Sequence, residues 1–276
     1  MARRKKKKSN QTLALVVTVL AAVAFVVIFG VIVSSCSHGP SVEETEPPVT
    51  EGPRETAPLN AYAPEDFYLE NGFLRYGTDS LVGIDVSTHQ GLIDWQAVKG
   101  AGVEFAIIRA GYRGTTQGLL YEDELFRANL DGAKEAGLLV GVYFFSQAAN
   151  EEEAAEEAEF VCGLLDGAKL DLPIYYDWEE VSGQSRIPGA AEIPMTECAV
   201  AFCEAIKAQG YEAGVYFNQT YGYDHLDLLA LQDYSLWLAE YGNTPTFDYH
   251  FHCLQYTDSG VVDGIETEVD LNVFFR

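Results

Sequence analysis

An α/β barrel is the fold class the chain predicts, on three observations. Near-continuous apolar segments of strand length alternate with amphipathic segments over 81–218, the pattern of parallel strands covered on their outer face by helices. After Asn218 the alternation stops, and a short helical piece around Asp224–Gln232 precedes three further strand-like segments. Once the N-terminal segments are set aside, about 200 residues remain, enough for one substantial core and one barrel-type domain.

The first eight residues hold six Lys/Arg, and Thr12–Val33 is an uncharged, Val/Ala/Leu-rich stretch of 22 residues. At about 1.5 Å per residue it spans a bilayer core of about 30 Å. A basic tail over 1–11 is therefore expected in the cytoplasm, a membrane span or signal anchor over 12–34, and the rest of the chain outside. A cleaved signal peptide has a shorter apolar segment, about 7–15 residues. Val33-Ser34-Ser35-Cys36 resembles a lipoprotein cleavage box, which leaves lipidation at Cys36 as an alternative. Residues 37–64 hold six of the ten prolines together with Glu, Thr and Ser. Such a stretch buries no core, so 35–64 is expected to be an extended linker. Asp66–Thr78 then reads as two short strands around Asn71-Gly72, a favoured hairpin turn, making 65–80 a lead-in to a domain over 81–276.

In that domain the strand-like segments are LVGIDV, EFAIIRAGY, LLVGVYFFS, LPIYYDW and EAGVYFN. Between them lie the helix-like IDWQAVKGAG, EDELFRANLDGAKEAG, EEEAAEEAEFVCGLLDGA and PMTECAVAFCEAIKAQG. SLWLAEY, HFHCLQYT and VDLNVFF supply the last three strands. Beyond the six N-terminal basic residues, 11 Lys/Arg stand against 42 Asp/Glu, a formal charge of −31. Nucleic acid is excluded as a partner, because its binding needs basic residues to neutralise phosphates. Five cysteines do not make a disulfide framework in a domain of this size, and free thiols are expected. No Cys/His cluster has zinc spacing; His250-x-His252 reads as a strand pair on one face.

The chemistry lies in LPIYYDWEE, Leu172–Glu180. Side chains two apart on a strand share a face, with Cα atoms about 6.5–7 Å apart, so Asp177 and Glu179 project together from a strand end. Two carboxylates that close repel each other's ionisation, and one stays protonated while the other is charged. Barrel enzymes keep their chemistry at the C-terminal ends of the parallel strands. Asp85 ends an early strand at that rim, and Asp270 opens the last strand, which reaches the rim if it returns antiparallel beside Gln255 and Tyr256. Aromatics offer faces for the apolar CH sides of sugar rings. Tyr143, Tyr216, Trp237 and Tyr241 lie near strand ends, whereas Trp178 points opposite to its acidic neighbours and is expected to pack.

These motifs resemble those of the glycoside hydrolase family 25 lysozymes, the Chalaropsis-type N-acetylmuramidases. The similarity runs from about Val82 to Arg276 through GIDVSTHQG, DWQAVKGAGVEFAIIRAGY, YEDELFRANLDGAKEAGLLVGVYFF, YYDWEE, GVYFN, LWLAEYG, LQYTDSG and VDLNVF. Phe144 stands where the family often has His, and Leu254 where a Trp often precedes Gln-Tyr. The resemblance implies a TIM-like (β/α)5β3 barrel and a muramidase acting on peptidoglycan strands without cofactor or metal. Glu179 would serve as acid and base. Asp177 would orient the substrate's acetamido group or act as nucleophile, and Asp85 and Asp270 would hold the sugar. Tyr143, Trp237, Tyr216, Tyr241 and Gln255 are the expected substrate contacts, and a monomer is expected. Two other readings stay open: a barrel enzyme on another N-acetylated glycan such as chitin, and a wall-binding module without activity.

Overall fold

The computed structural model describes residues 56–276. The expected span over 12–34 and the linker as far as 55 lie outside them; among the described residues no helix is long and apolar enough to cross a membrane. A hairpin comes first, β1 (Phe67–Glu70) and β2 (Phe73–Tyr76), paired antiparallel. Its turn places Asn71 at φ 53° and Gly72 at φ 88°, the two left-handed positions for which Asn-Gly is suited.

The barrel strands are β3 (Leu81–Val86), β4 (Phe105–Arg113), β6 (Leu139–Ser146), β7 (Ile174–Trp178), β8 (Ala213–Asn218), β9 (Ser235–Ala239), β10 (Cys253–Gly260) and β11 (Val269–Phe274). A short β5 (Leu120–Glu122) pairs with the upper end of β4. Helices α1 (Trp95–Gly100), α2 (Phe126–Glu135), α3 (Glu151–Leu165), α4 (Met195–Ala208) and α5 (Gln219–Asp224) follow the first five barrel strands. Neighbours from β3 round to β10 run parallel, while β11 pairs antiparallel with both β10 and β3 and closes the ring. The expected (β/α)5β3 order is present, with eight strands in a closed barrel. The last helix sits earlier than expected. Asn218 accepts from Tyr221 N–H at 3.0 Å and caps its start, and Asp227 takes the backbone N–H groups of Leu229 and Ala230, competing with helix there.

Two apolar layers hold the barrel. Outward residues such as Val82, Ile84, Ala106, Ile108, Val140 and Val142 pack under the helices, while Leu81, Phe105, Ile107, Leu172, Tyr175, Trp237 and Cys253 fill the interior. Large rings fit because glycine faces them: a Cβ on Gly214 would lie 2.4 Å from the Tyr175 ring and 2.5 Å from Ser235 O. The N-terminal segment covers the outer side of β10 and β11. Leu74 N–H donates to the Tyr256 hydroxyl at 3.1 Å, and Tyr62 stacks on Phe275 at 4.1 Å. The chain meets the barrel before residue 64, since Asn60 N–H donates to Asp248 O at 2.8 Å. Among the described cysteines all four are free. His250 and His252 lie in the segment entering β10 rather than in the strand, where burial pushes His252 down to about 4.

Gly214→Ala is expected to lower stability by about 1–3 kcal/mol, the usual cost of overpacking a filled interior. Gly163→Ala, in α3 with open space around its position, is expected to raise it by about 0.5–1 kcal/mol. Thermal unfolding of the two variants checks the opposite signs.

Candidate active site

At the end of the barrel where β7 finishes, the inward positions turn polar and enclose a cleft of about 290 Å³. Its lining includes Asp85, Asp177, Glu179 and Asp270 with Tyr143, Tyr216, Trp237, Tyr241 and Gln255. The structure thus brings together the four carboxylates and the five expected substrate contacts. Topology does this: Asp85 ends β3, Asp177 faces Tyr216 across β7 and β8, and the antiparallel return of β11 sets Asp270 directly opposite Asp85. Strand alternation sends Trp178 outward, where its Nε1 donates to Ala148 O at 3.2 Å. The same alternation removes Phe144 and Leu254 from the cleft into the outer apolar layer, so both departures from the family pattern lie away from the cleft. Tyr256, expected at the rim, points outward to the hairpin, because it follows the inward Gln255 and shares the outer face of Leu254.

Asp85 is fixed by two amides: its Oδ2 accepts from Gln255 Nε2 at 2.9 Å and Asn272 Nδ2 at 2.8 Å. Each amide is oriented in turn. Gln255 Oε1 accepts from the Tyr216 hydroxyl at 3.0 Å and the Tyr241 hydroxyl at 3.4 Å, and Asn272 Oδ1 accepts from Trp237 Nε1 at 2.9 Å. Trp237 is only 1% exposed; it forms the floor and presents no open face. Tyr241, 57% exposed, stands at the outer edge. Asp177 differs from Asp85, for its Oδ1 is buried with no protein partner.

Sequence reasoning missed Arg109, Asp123, Asn272 and His89. Arg109 enters the cleft, but Asp123 holds its guanidinium at 2.7 Å. Asp123 also accepts from Thr88 N–H at 3.0 Å, tying the turn after β3 to the same pair. Both Asn272 and Arg109 were detectable: Asn272 lies two residues from Asp270 on one strand, and an arginine within an apolar strand needs a partner.

All four carboxyls are pushed toward their protonated forms. Burial, then Asp270, pushes Asp85 well up, while the two amides pull it back. Asp177 is raised well above the usual range by burial, then by Glu179 and Asp85, with Arg109 opposing. Glu179 is raised by burial and by Asp270. Asp270 is pushed up to about 6 by burial and by Asp258. A carboxyl raised on folding contributes stability that is full below its unfolded pKa and lost as pH rises through the folded one. Asp270→Asn is therefore expected to melt above wild type at pH 7.5, with the difference closing by about pH 3.5. A variant less stable than wild type at pH 7.5 would contradict the repulsion.

Residues 84–265 match glycosyl hydrolases family 25. The autolytic lysozyme of Clostridium acetobutylicum is 34% identical over 193 residues, covering 70% of this chain and 55% of that protein. This chain thus spans about half the length of that relative. Lysozyme M1 of Streptomyces globisporus is 30% identical over 210 residues, covering 71% of this chain and 68% of the other. Among solved structures, the modular autolysin LytC from Streptococcus pneumoniae superposes with a TM-score of 0.64 and 26% identity, over 76% of this chain and 52% of that one. Its structure in complex with a synthetic peptidoglycan ligand gives 0.61. The match covers most of the barrel and stops just short of Asp270, and by it and these identities the chain belongs to glycosyl hydrolases family 25.

Proposed function

We propose that the chain is a peptidoglycan hydrolase, an N-acetylmuramidase cleaving the β-1,4 bond between N-acetylmuramic acid and N-acetylglucosamine. The carrying observation is four carboxylates around one cleft whose guanidinium is already bonded to Asp123. The lysozyme names of two relatives and the peptidoglycan ligand of LytC support the same substrate class.

In this reading Glu179, whose pKa is raised by burial and by Asp270, protonates the glycosidic oxygen as the bond breaks. It later takes a proton from the attacking water. Asp177 and Glu179 issue from one strand end and approach the sugar from the same side. The nucleophile at the anomeric carbon is then the substrate's own acetamido oxygen. Asp177 Oδ1, without a protein partner, accepts the acetamido N–H and stabilises the positive charge that develops. Asp85, fixed by its two amides, and Asp270 bind hydroxyls and keep the pair's protons in place. Tyr143, Tyr216 and Tyr241 form walls against the ring faces. Such substrate assistance is known among glycosidases and gives net retention.

Incubation with purified peptidoglycan and mass spectrometry of the products tests the reading. New reducing ends at N-acetylmuramic acid are expected, falling about 10²–10⁴-fold in Glu179→Gln. Reducing ends at N-acetylglucosamine would contradict the bond assignment. NMR of the first turnovers should show β product, with glycans lacking the muramyl N-acetyl group losing rate. Inverted product, or a sugar ester trapped on Asp177, would rule out assistance.

A further inference from the structure

Glu179 stands one residue beyond the last ladder pair of β7 with β6, Ser146 opposite Trp178. Two side chains hold the peptide unit that follows it. The Gln147 carboxamide, on a residue 1% exposed, donates to Ser146 O at 2.8 Å and to Glu179 O at 2.7 Å. The Tyr221 hydroxyl accepts from Glu180 N–H at 3.0 Å. The carbonyl of Glu179 and the N–H of Glu180 belong to one planar peptide unit. That unit is gripped at both ends.

We propose that Gln147 and Tyr221 are positioning residues, a clamp on the Glu179–Glu180 peptide that aims the Glu179 carboxyl into the cleft. The proposal rests on Glu179 being the general acid. Neither arm lines the cleft, so neither touches the reacting atoms. Both arms are braced from behind. Gln147 N–H donates to Glu157 Oε1 at 3.4 Å, and the buried Glu157 is held by Arg113 Nε at 2.7 Å. Gln147 O accepts from the Arg186 guanidinium, which also pairs with Glu153. Tyr221 sits in α5, its N–H bonded to the capping Asn218 side chain at 3.0 Å. Its ring meets Trp178 edge-on at 6.0 Å. The residue between the two acids, which faces away from the cleft, thereby joins the clamp. Glu179 owes its raised pKa first to burial, so a carboxyl freed to swing toward solvent returns toward its ordinary value.

Tyr221→Phe, Gln147→Met and the double variant of the full chain test the clamp on purified peptidoglycan. Tyr221→Phe should lower kcat about 3–10-fold, as for one hydrogen bond, and Gln147→Met about 10–100-fold, as for a displaced catalytic group. KM should stay within about twofold, since uniform binding is untouched. The basic limb of the pH profile should move to lower pH, and the double variant should lose less than the product of the two, because both arms hold one peptide. Tyr234→Phe removes a hydroxyl that bonds Glu204 away from the cleft and should change neither kcat nor the profile. Wild-type kcat and pH profile in both single variants would overturn the clamp, as would a lower melting temperature with both unchanged in the folded protein. The pKa of Glu179, read by carboxyl ¹³C NMR without substrate, separates this from the functional reading. It should fall toward 4.5 in the variants even if peptidoglycan proves the wrong substrate, and an unchanged value would overturn the clamp alone.

Discussion

Four carboxylates share a desolvated cleft with one guanidinium that is already engaged, and their charges cannot all be present together. Asp123 holds Arg109 at 2.7 Å, so little positive charge is left for Asp85, Asp177, Glu179 and Asp270. Burial raises all four, which favours retaining protons over carrying uncompensated charge. The same burial and repulsion that cost stability favour a protonated acid where a leaving oxygen would need one, a common trade at active sites.

The fold maintains this arrangement from below and from the side. The apolar interior excludes water from beneath the carboxylates, with Tyr175 accommodated by Gly214 and Trp237 as the floor. Side-on, the closure of the ring matters most. Because β11 returns antiparallel between β10 and β3, Asp270 at its start and Asn272 two residues on both face Asp85. A parallel last strand would have carried Asp270 to the opposite end of the barrel. The hairpin and the segment before it cover the outer side of the arc closed in this way, through Leu74, Tyr62 and Phe275.

Much of this was legible in the sequence, and the reason is periodicity. Alternation along LPIYYDWEE assigns Asp177 and Glu179 to one face and Trp178 to the other without any structure. The turn at Asn71-Gly72 follows from the backbone preferences of those two residues. Less legible were interactions that depend on neighbours distant in the chain. Arg109 and Asp123 become a pair through the turn that joins β4 to α2. Trp237 looked like a stacking face, yet it is buried because β9 points it inward beneath Asn272. Tyr256 looked like a rim residue, yet alternation beside the inward Gln255 puts it on the outer face with Leu254. The start of α5 was misplaced because the capping residue, Asn218, is also the last residue of β8.

The central claim is that burial raises these four carboxyls and that Asp270 raises the other three further. The most direct measurement is a ¹³C titration of the side-chain carboxyls in the full chain, wild type beside Asp270→Asn. The account predicts that Glu179 titrates above its ordinary 4.5 in wild type and lower once Asp270 is an amide. Titration of all four acids at ordinary carboxyl values, unmoved by that substitution, would contradict it.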